Sequence, residues 1–148
     1  MDIRIERLRA VRRFETEAQM QEFDELLESL GSEESSDPEL LSELLCTFID
    51  DTEEEEHMWG LLHFVEGYPH EIYLPTLIGT LPRMRPHARR WGTRLLLRVL
   101  NDSGARAHVR ELYHKLTESE QQHLGQFLND VAQKSTELAS KVAEVTAT

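Results

Sequence analysis

The sequence predicts an all-α fold of helical hairpins, stacked in a HEAT-like arrangement or gathered into an irregular bundle. Three observations lead there. Apolar residues recur at spacings of three and four along most of the chain, no run alternates with a period of two between turns, and helix-capping patterns punctuate the sequence at short intervals. At 148 residues the chain has the length of one domain, and a domain of that size buries roughly 70% of its unfolded surface.

Taken in order, Arg4 to Arg13 predicts a short basic helix. Thr16-x-x-Gln19 has the form of a capping box, and it opens a second helix with Met20, Phe23, Leu26, Leu27 and Leu30 on one face, ended by Gly31. Ser32 to Ser36 reads as a polar loop. Asp37-Pro38 then supplies an N-cap and an N1 proline for a helix carrying Leu40, Leu41, Leu44, Leu45 and Phe48. Thr52 is the expected cap of the next helix, with Glu53, Glu54, Glu55 and Glu56 in its first turn, where negative charge meets the positive end of the macrodipole.

That helix is expected to stop near Gly67, and Pro69 to open another with Ile72, Tyr73, Leu74, Leu77, Ile78 and Leu81 inward. Pro75 should kink it or delay its start. Pro86 is expected to begin a separate helix through Trp91, Leu95, Leu96, Val99 and Leu100, apolar on nearly every side and so central. Asp102 or Ser103 caps the helix bearing Val109, Leu112 and Leu116. Thr117-x-x-Glu120 opens a last helix through Leu124, Phe127, Leu128 and Val131 to Leu138, which frays into the tail. Short connections predict two antiparallel hairpins, over 53–81 and 87–116, and Trp59-Gly60 and Trp91-Gly92 repeat 32 positions apart.

Charge is distributed unevenly. The 28 acidic and 16 basic side chains give a net charge of −12, which opposes phosphate-backbone binding and anionic membranes and favours a basic partner. Residues 1–60 hold 19 acids, whereas residues 83–110 hold eight arginines and the single acid Asp102. Cys46, alone of its kind, allows no internal disulfide and suits a reducing compartment, hence the cytoplasm. The start has no apolar run of the export type, and the apolar stretch from Ile72 to Pro82 is too short for a bilayer.

Glu-x-x-His occurs at Glu54/His57, Glu111/His114 and Glu120/His123, the unit of carboxylate-bridged di-metal bundles. Such a bundle also needs two inward glutamates, and Glu25, Glu28 and Glu43 fall on solvated flanks, so no metal or cofactor is expected. Neither a nucleophile elbow nor a phosphate-binding glycine loop is present, and Cys46 sits between leucines and hydroxyl residues as a small boundary residue. No catalytic residue is expected.

The segment Glu56 to Glu66 stands apart because it carries two helical stripes. Met58, Leu61, Leu62 and Val65 form a core ridge, while Glu56, Trp59, His63 and Glu66 align on the flank. Trp91, Arg94, Arg98 and Asn101 form a comparable flank in the central helix. Packed together, the two predict an internal polar network of Glu66 with Arg98, closed by His63 or Asn101. The competing expectation is an exposed aromatic anchor, Trp59, among carboxylates that meet a basic partner.

The run Met58-Trp59-Gly60-Leu61-Leu62-His63-x-x-Glu66, followed by Tyr73-Leu74, Pro86, Trp91 and Arg98-Val99-Leu100-Asn101, resembles the polymorphic-toxin immunity proteins of immunity family 30 over residues 50 to 116. The resemblance implies a small cytoplasmic, non-catalytic protein that binds and blocks the C-terminal domain of a toxin encoded beside it. The partner expected on charge is a basic toxin domain such as a nuclease, met by Asp50, Asp51, Glu53, Glu54, Glu55, Glu56 and Trp59. The other readings are a metal-dependent helical enzyme using the Glu-x-x-His pairs and a generic helical adaptor.

Overall fold

In a computed structural model, which describes residues 2–33 and 36–148, the described residues form eight α-helices and no strand. They are α1 (Ile3–Val11), α2 (Glu17–Gly31), α3 (Pro38–Leu45), α4 (Glu55–Glu66), α5 (His70–Leu100), α6 (Ser103–Lys115), α7 (Glu118–Ala132) and α8 (Thr136–Thr146). Glu34 and Ser35, the centre of the expected polar loop, lie outside the described residues. One apolar cluster draws side chains from every helix. None of the described helices is long and apolar enough to cross a membrane.

The predicted caps at Thr16, Asp37, Asp102 and Thr117 each accept a backbone N–H of the first turn, and Thr117 with Glu120 completes a reciprocal capping box. Basic α1 acts as a strap. Arg4 bonds Glu33 and Ser29 near the end of α2, and Arg7 bonds Glu22. On its other side Arg9 donates to the Glu43 carbonyl and Arg12 to the carbonyls of Cys46 and Thr47. These guanidiniums satisfy carbonyls that a helix terminus leaves open.

Four expectations are corrected. The third helix ends at Leu45, where α1 takes its carbonyls, so Phe48 is buried from the irregular segment beyond, 5.4 Å from the Trp91 ring. Thr52 does not cap α4. Its hydroxyl donates to the Arg12 carbonyl while the Glu53 N–H donates to that of Arg13, and α4 begins at Glu55 without a side-chain cap. Pro75 causes no break. It stands on the exposed face of the first turns, where the hydrogen bond it removes would have gone to the solvent-exposed Glu71 carbonyl. The tail does not fray: Ser135 caps α8, and Leu138, Val142 and Val145 turn its narrow apolar stripe onto the core.

The decisive feature is the break in α5. Ala88 departs from helical geometry (φ −142°, ψ 44°), two residues past Pro86. In a straight helix Leu81 and Gly92 would be about 16 Å apart along the axis, yet Leu81 Cδ2 lies 3.1 Å from where a Gly92 Cβ would sit. The 70–87 and 89–100 arms therefore fold back on each other without a loop. The break frees backbone groups that Asp50 collects: its carboxylate accepts the N–H of Arg90 at 2.9 Å and of Trp91 at 3.2 Å, and its own N–H donates to the His87 carbonyl at 2.9 Å. Asp50 is an N-cap supplied from a distant segment.

The fold-back sets α2, α4 and the 89–100 arm side by side, all running the same way. Asp24, Leu27 and Gly31 of α2 meet His57, Gly60 and Phe64 of α4. Glu55, Trp59 and Glu66 of α4 meet Arg90, Arg94 and Arg98. Behind them, α3 bonds the 70–87 arm through Ser42 and Thr80, and α6 flanks the same arm. Helix α7 closes the side of α5, with the Phe127 ring against Gly92.

Substitutions at Asp50 and Gly92 test the break, and one at Gly79 serves as a contrast. Asp50→Ala leaves two amides unpaired and should cost ~1–3 kcal/mol in urea unfolding, with Asp50→Asn costing less. Gly92→Ala drives a methyl to 2.7 Å from the Phe127 ring and should cost ~1–3 kcal/mol. Gly79→Ala, whose added Cβ meets nothing within 4 Å, should instead gain up to ~1 kcal/mol.

Candidate protein-interaction surface

Helix α4 forms a crest between two grooves. On one side Leu27, Glu28, Gly60, His63 and Phe64 border a shallow groove of about 620 Å³ against α2. On the other, Trp59 is the wall of a groove of about 670 Å³ whose remaining sides are the 89–100 arm and the end of α7. At position 60 an added Cβ would meet Leu27 at an ordinary contact distance of 3.8 Å. The flank stripe read from the sequence thus follows the crest.

Its members have different neighbours. Glu66 accepts two hydrogen bonds from Arg98, at 2.7 and 2.9 Å, in a fork that is half-exposed instead of buried. Asn101 is not part of that fork: its side-chain oxygen accepts from Lys141 of α8 at 3.0 Å. His63 is exposed on the α2 side, its ring 6.2 Å from that of Trp59. Trp59 is half-buried, edge-on to Trp91 at 5.5 Å. The Arg94 guanidinium lies over both indoles, 5.0 Å from Trp59 and 4.4 Å from Trp91, which fixes it in the groove wall.

The acidic run divides. Asp50 is committed to the α5 break, and Asp51 pairs with Arg13. Glu55 accepts from both Arg90 and Arg94, and the Arg94 hydrogen bond above all holds its carboxyl below the ordinary carboxylate range. Among the described residues Glu53, Glu54 and Glu56 have no cation within ion-pair distance, although Glu53 and Glu54 are tied through their backbones. Next to them His57 faces Asp24 of α2 at 3.5 Å.

The arginine segment is consumed more fully than its composition suggests. Arg83 reaches Glu43, Arg85 and Arg89 both reach Asp130, and Arg106 pairs with Glu144, whose carbonyl accepts from Arg110. Asp130, on α7, and Lys134, just past its end, belong to the groove but are not legible there in the sequence, because nothing in the 118–132 pattern marks which polar flank faces residues 40 positions earlier. The Asp130 carboxyl is held low, by the Arg89 hydrogen bond first and Arg85 second, against the opposing effect of burial.

The Glu-x-x-His pairs are dispersed. Glu54 precedes α4 while His57 packs on Phe14, the His114 ring bonds the Ala147 carbonyl, and Glu120 belongs to the capping box. Among the described residues no three His, Cys, Asp or Glu side chains gather as a metal-ion site.

What the geometry defines is an all-α protein with a charged crest between two grooves. The family model described as Immunity protein 30 matches residues 10–109, and the chain belongs to that family. The match encloses the α5 break, the crest and the first groove entirely. Neither a curated protein nor a solved structure matches the chain.

Carboxyls with depressed values stabilise the fold above the pH at which they titrate when unfolded, about pH 4, and lose that contribution as pH falls through their lower folded values. Asp130→Asn should therefore lower the urea midpoint at pH 7, and the gap from wild type should close as the pH falls below about 4.

Proposed function

We propose that this chain is an immunity protein that binds the C-terminal domain of a toxin encoded beside it and blocks that domain by occlusion, without catalysing a reaction and without a cofactor. Membership of the immunity protein 30 family supports the class. The observation that carries the surface is the position of Glu53, Glu54 and Glu56: they are the part of the acidic run that internal cations leave uncompensated, at the head of the α4 crest beside the half-exposed Trp59.

An uncompensated acidic edge steers a basic partner and speeds capture, while an aromatic side chain held by its neighbours supplies short-range affinity at little cost in ordering. Asp51 and Glu55 contribute to the same field although each already holds an arginine. Asp50 acts indirectly, by keeping the 89–100 arm where it forms the far wall. Occlusion in the cytoplasm suits a protein that meets its toxin before the toxin meets its substrate.

Reversing Glu53, Glu54 and Glu56 to Lys should slow association with the toxin domain by about ten-fold or more at low salt and flatten its salt dependence, while the urea midpoint stays near wild type. Stopped-flow binding across a salt series reads this directly. An unchanged rate would remove this edge from the interface.

A further inference from the structure

The groove between Trp59 and the end of α7 is basic although the molecule is acidic. Arg89, Arg90, Arg94, Arg98 and Lys134 line it with Asp130 as its one lining acid, and Trp59 and Leu97 give it an apolar wall. The internal ion pairs do not cancel that charge, because carboxylates are shared: Glu55 serves Arg90 and Arg94, and Asp130 serves Arg85 and Arg89. Six cations, Lys134 included, thus face three carboxylates once Glu66 on Arg98 is added. Lys134 is exposed and, among the described residues, bears no ion pair.

We propose that this groove receives an acidic segment of the same toxin domain, so that the interface is bipolar: the partner is basic where it meets Glu53, Glu54 and Glu56, and acidic where it enters between Trp59 and α7. The inference rests on the immunity reading for the identity of the partner. Its chemistry rests on the groove. Asp130 and Glu66 hold Arg89 and Arg98 by Nε and Nη2 at 2.7 to 3.0 Å, which fixes both guanidiniums and leaves the Nη1 of each to donate to an incoming carboxylate. Arg94 is fixed by the two indoles, which lowers the ordering cost of binding. A polyanion such as nucleic acid is disfavoured because it would extend past the groove into the field of a chain carrying a net charge of −12.

The two polarities predict opposite responses to one change. Were the partner uniformly basic, adding negative charge to the groove would tighten binding; an acidic segment makes the same change weaken it. The variant is Lys134→Glu with Arg90→Gln, both exposed positions, and Arg94 remains on Glu55. Calorimetry of the full chain against the toxin domain of the neighbouring reading frame should show at least a ten-fold loss of affinity, with an unchanged urea midpoint and with Trp59 indole and Arg98 Nε–H resonances that shift in the wild-type complex. Equal or tighter binding by the variant overturns the groove assignment and leaves the immunity reading standing. Failure of the wild-type chain to bind removes the immunity reading, and this occupant with it. A twelve-nucleotide thymidine strand is the second probe; if it shifts the same resonances as tightly as the toxin domain does, the ligand is nucleic acid and the proposal fails.

Discussion

The arrangement depends on one interaction between segments far apart in sequence: the Asp50 carboxylate on the amides of Arg90 and Trp91. A helix interrupted at Ala88 would leave the Trp91 amide unpaired beside an almost fully enclosed side chain, and an unpaired buried amide is costly. Asp50 removes that cost at one place and so permits two helical arms to lie against each other with no connecting loop. Everything that gives the surface its character is downstream. Without the fold-back, Arg90, Arg94 and Arg98 would not run alongside Glu55, Trp59 and Glu66, and the large groove would have no floor.

The charges act more on position than on stability. Exposed ion pairs contribute about 0–1 kcal/mol each, so the pairs along α4 add little to holding the helices together beside the apolar cluster beneath them. What they settle is where each guanidinium points. Sharing two carboxylates among four arginines fixes several side chains while leaving their charge partly uncompensated, and the Trp59–Arg94–Trp91 stack does the same without an anion. A molecule with a large negative total thereby keeps a basic concavity next to an acidic edge.

Much of this was legible in the sequence. Caps at Thr16, Asp37, Asp102 and Thr117 and the apolar faces they open depend on neighbours a few residues away, and those elements stand where the pattern put them. The Glu66 and Arg98 pairing was accessible too, because two flank stripes of matching length required a common boundary. The failures share one cause, which is that distant groups overrode a local rule. Thr52 had a cap's sequence context but found the Arg12 carbonyl, and α3 gave up its final turn to the arginines of α1. Asp50 read as one more member of an acidic run, since nothing local tells a capping carboxylate from a solvated one. The tail beyond Leu138 differs for another reason: Val142 and Val145 are sparse among small residues, and a narrow stripe is enough for a helix that packs at the edge of a core.

The loopless reversal of α5 also constrains the order in which the molecule is made. Residues 70–100 carry Pro75, Pro82 and Pro86, which bend a helix without setting the direction of a reversal, and the amides freed at the reversal are met by a partner that lies 40 residues earlier. During synthesis that partner has already emerged when residues 87–91 leave the ribosome, with the 46–54 segment tied to α1 by Arg12 and Arg13. The N-terminal third therefore acts as a template for the bend, and vectorial synthesis presents the cap before the amides that it meets.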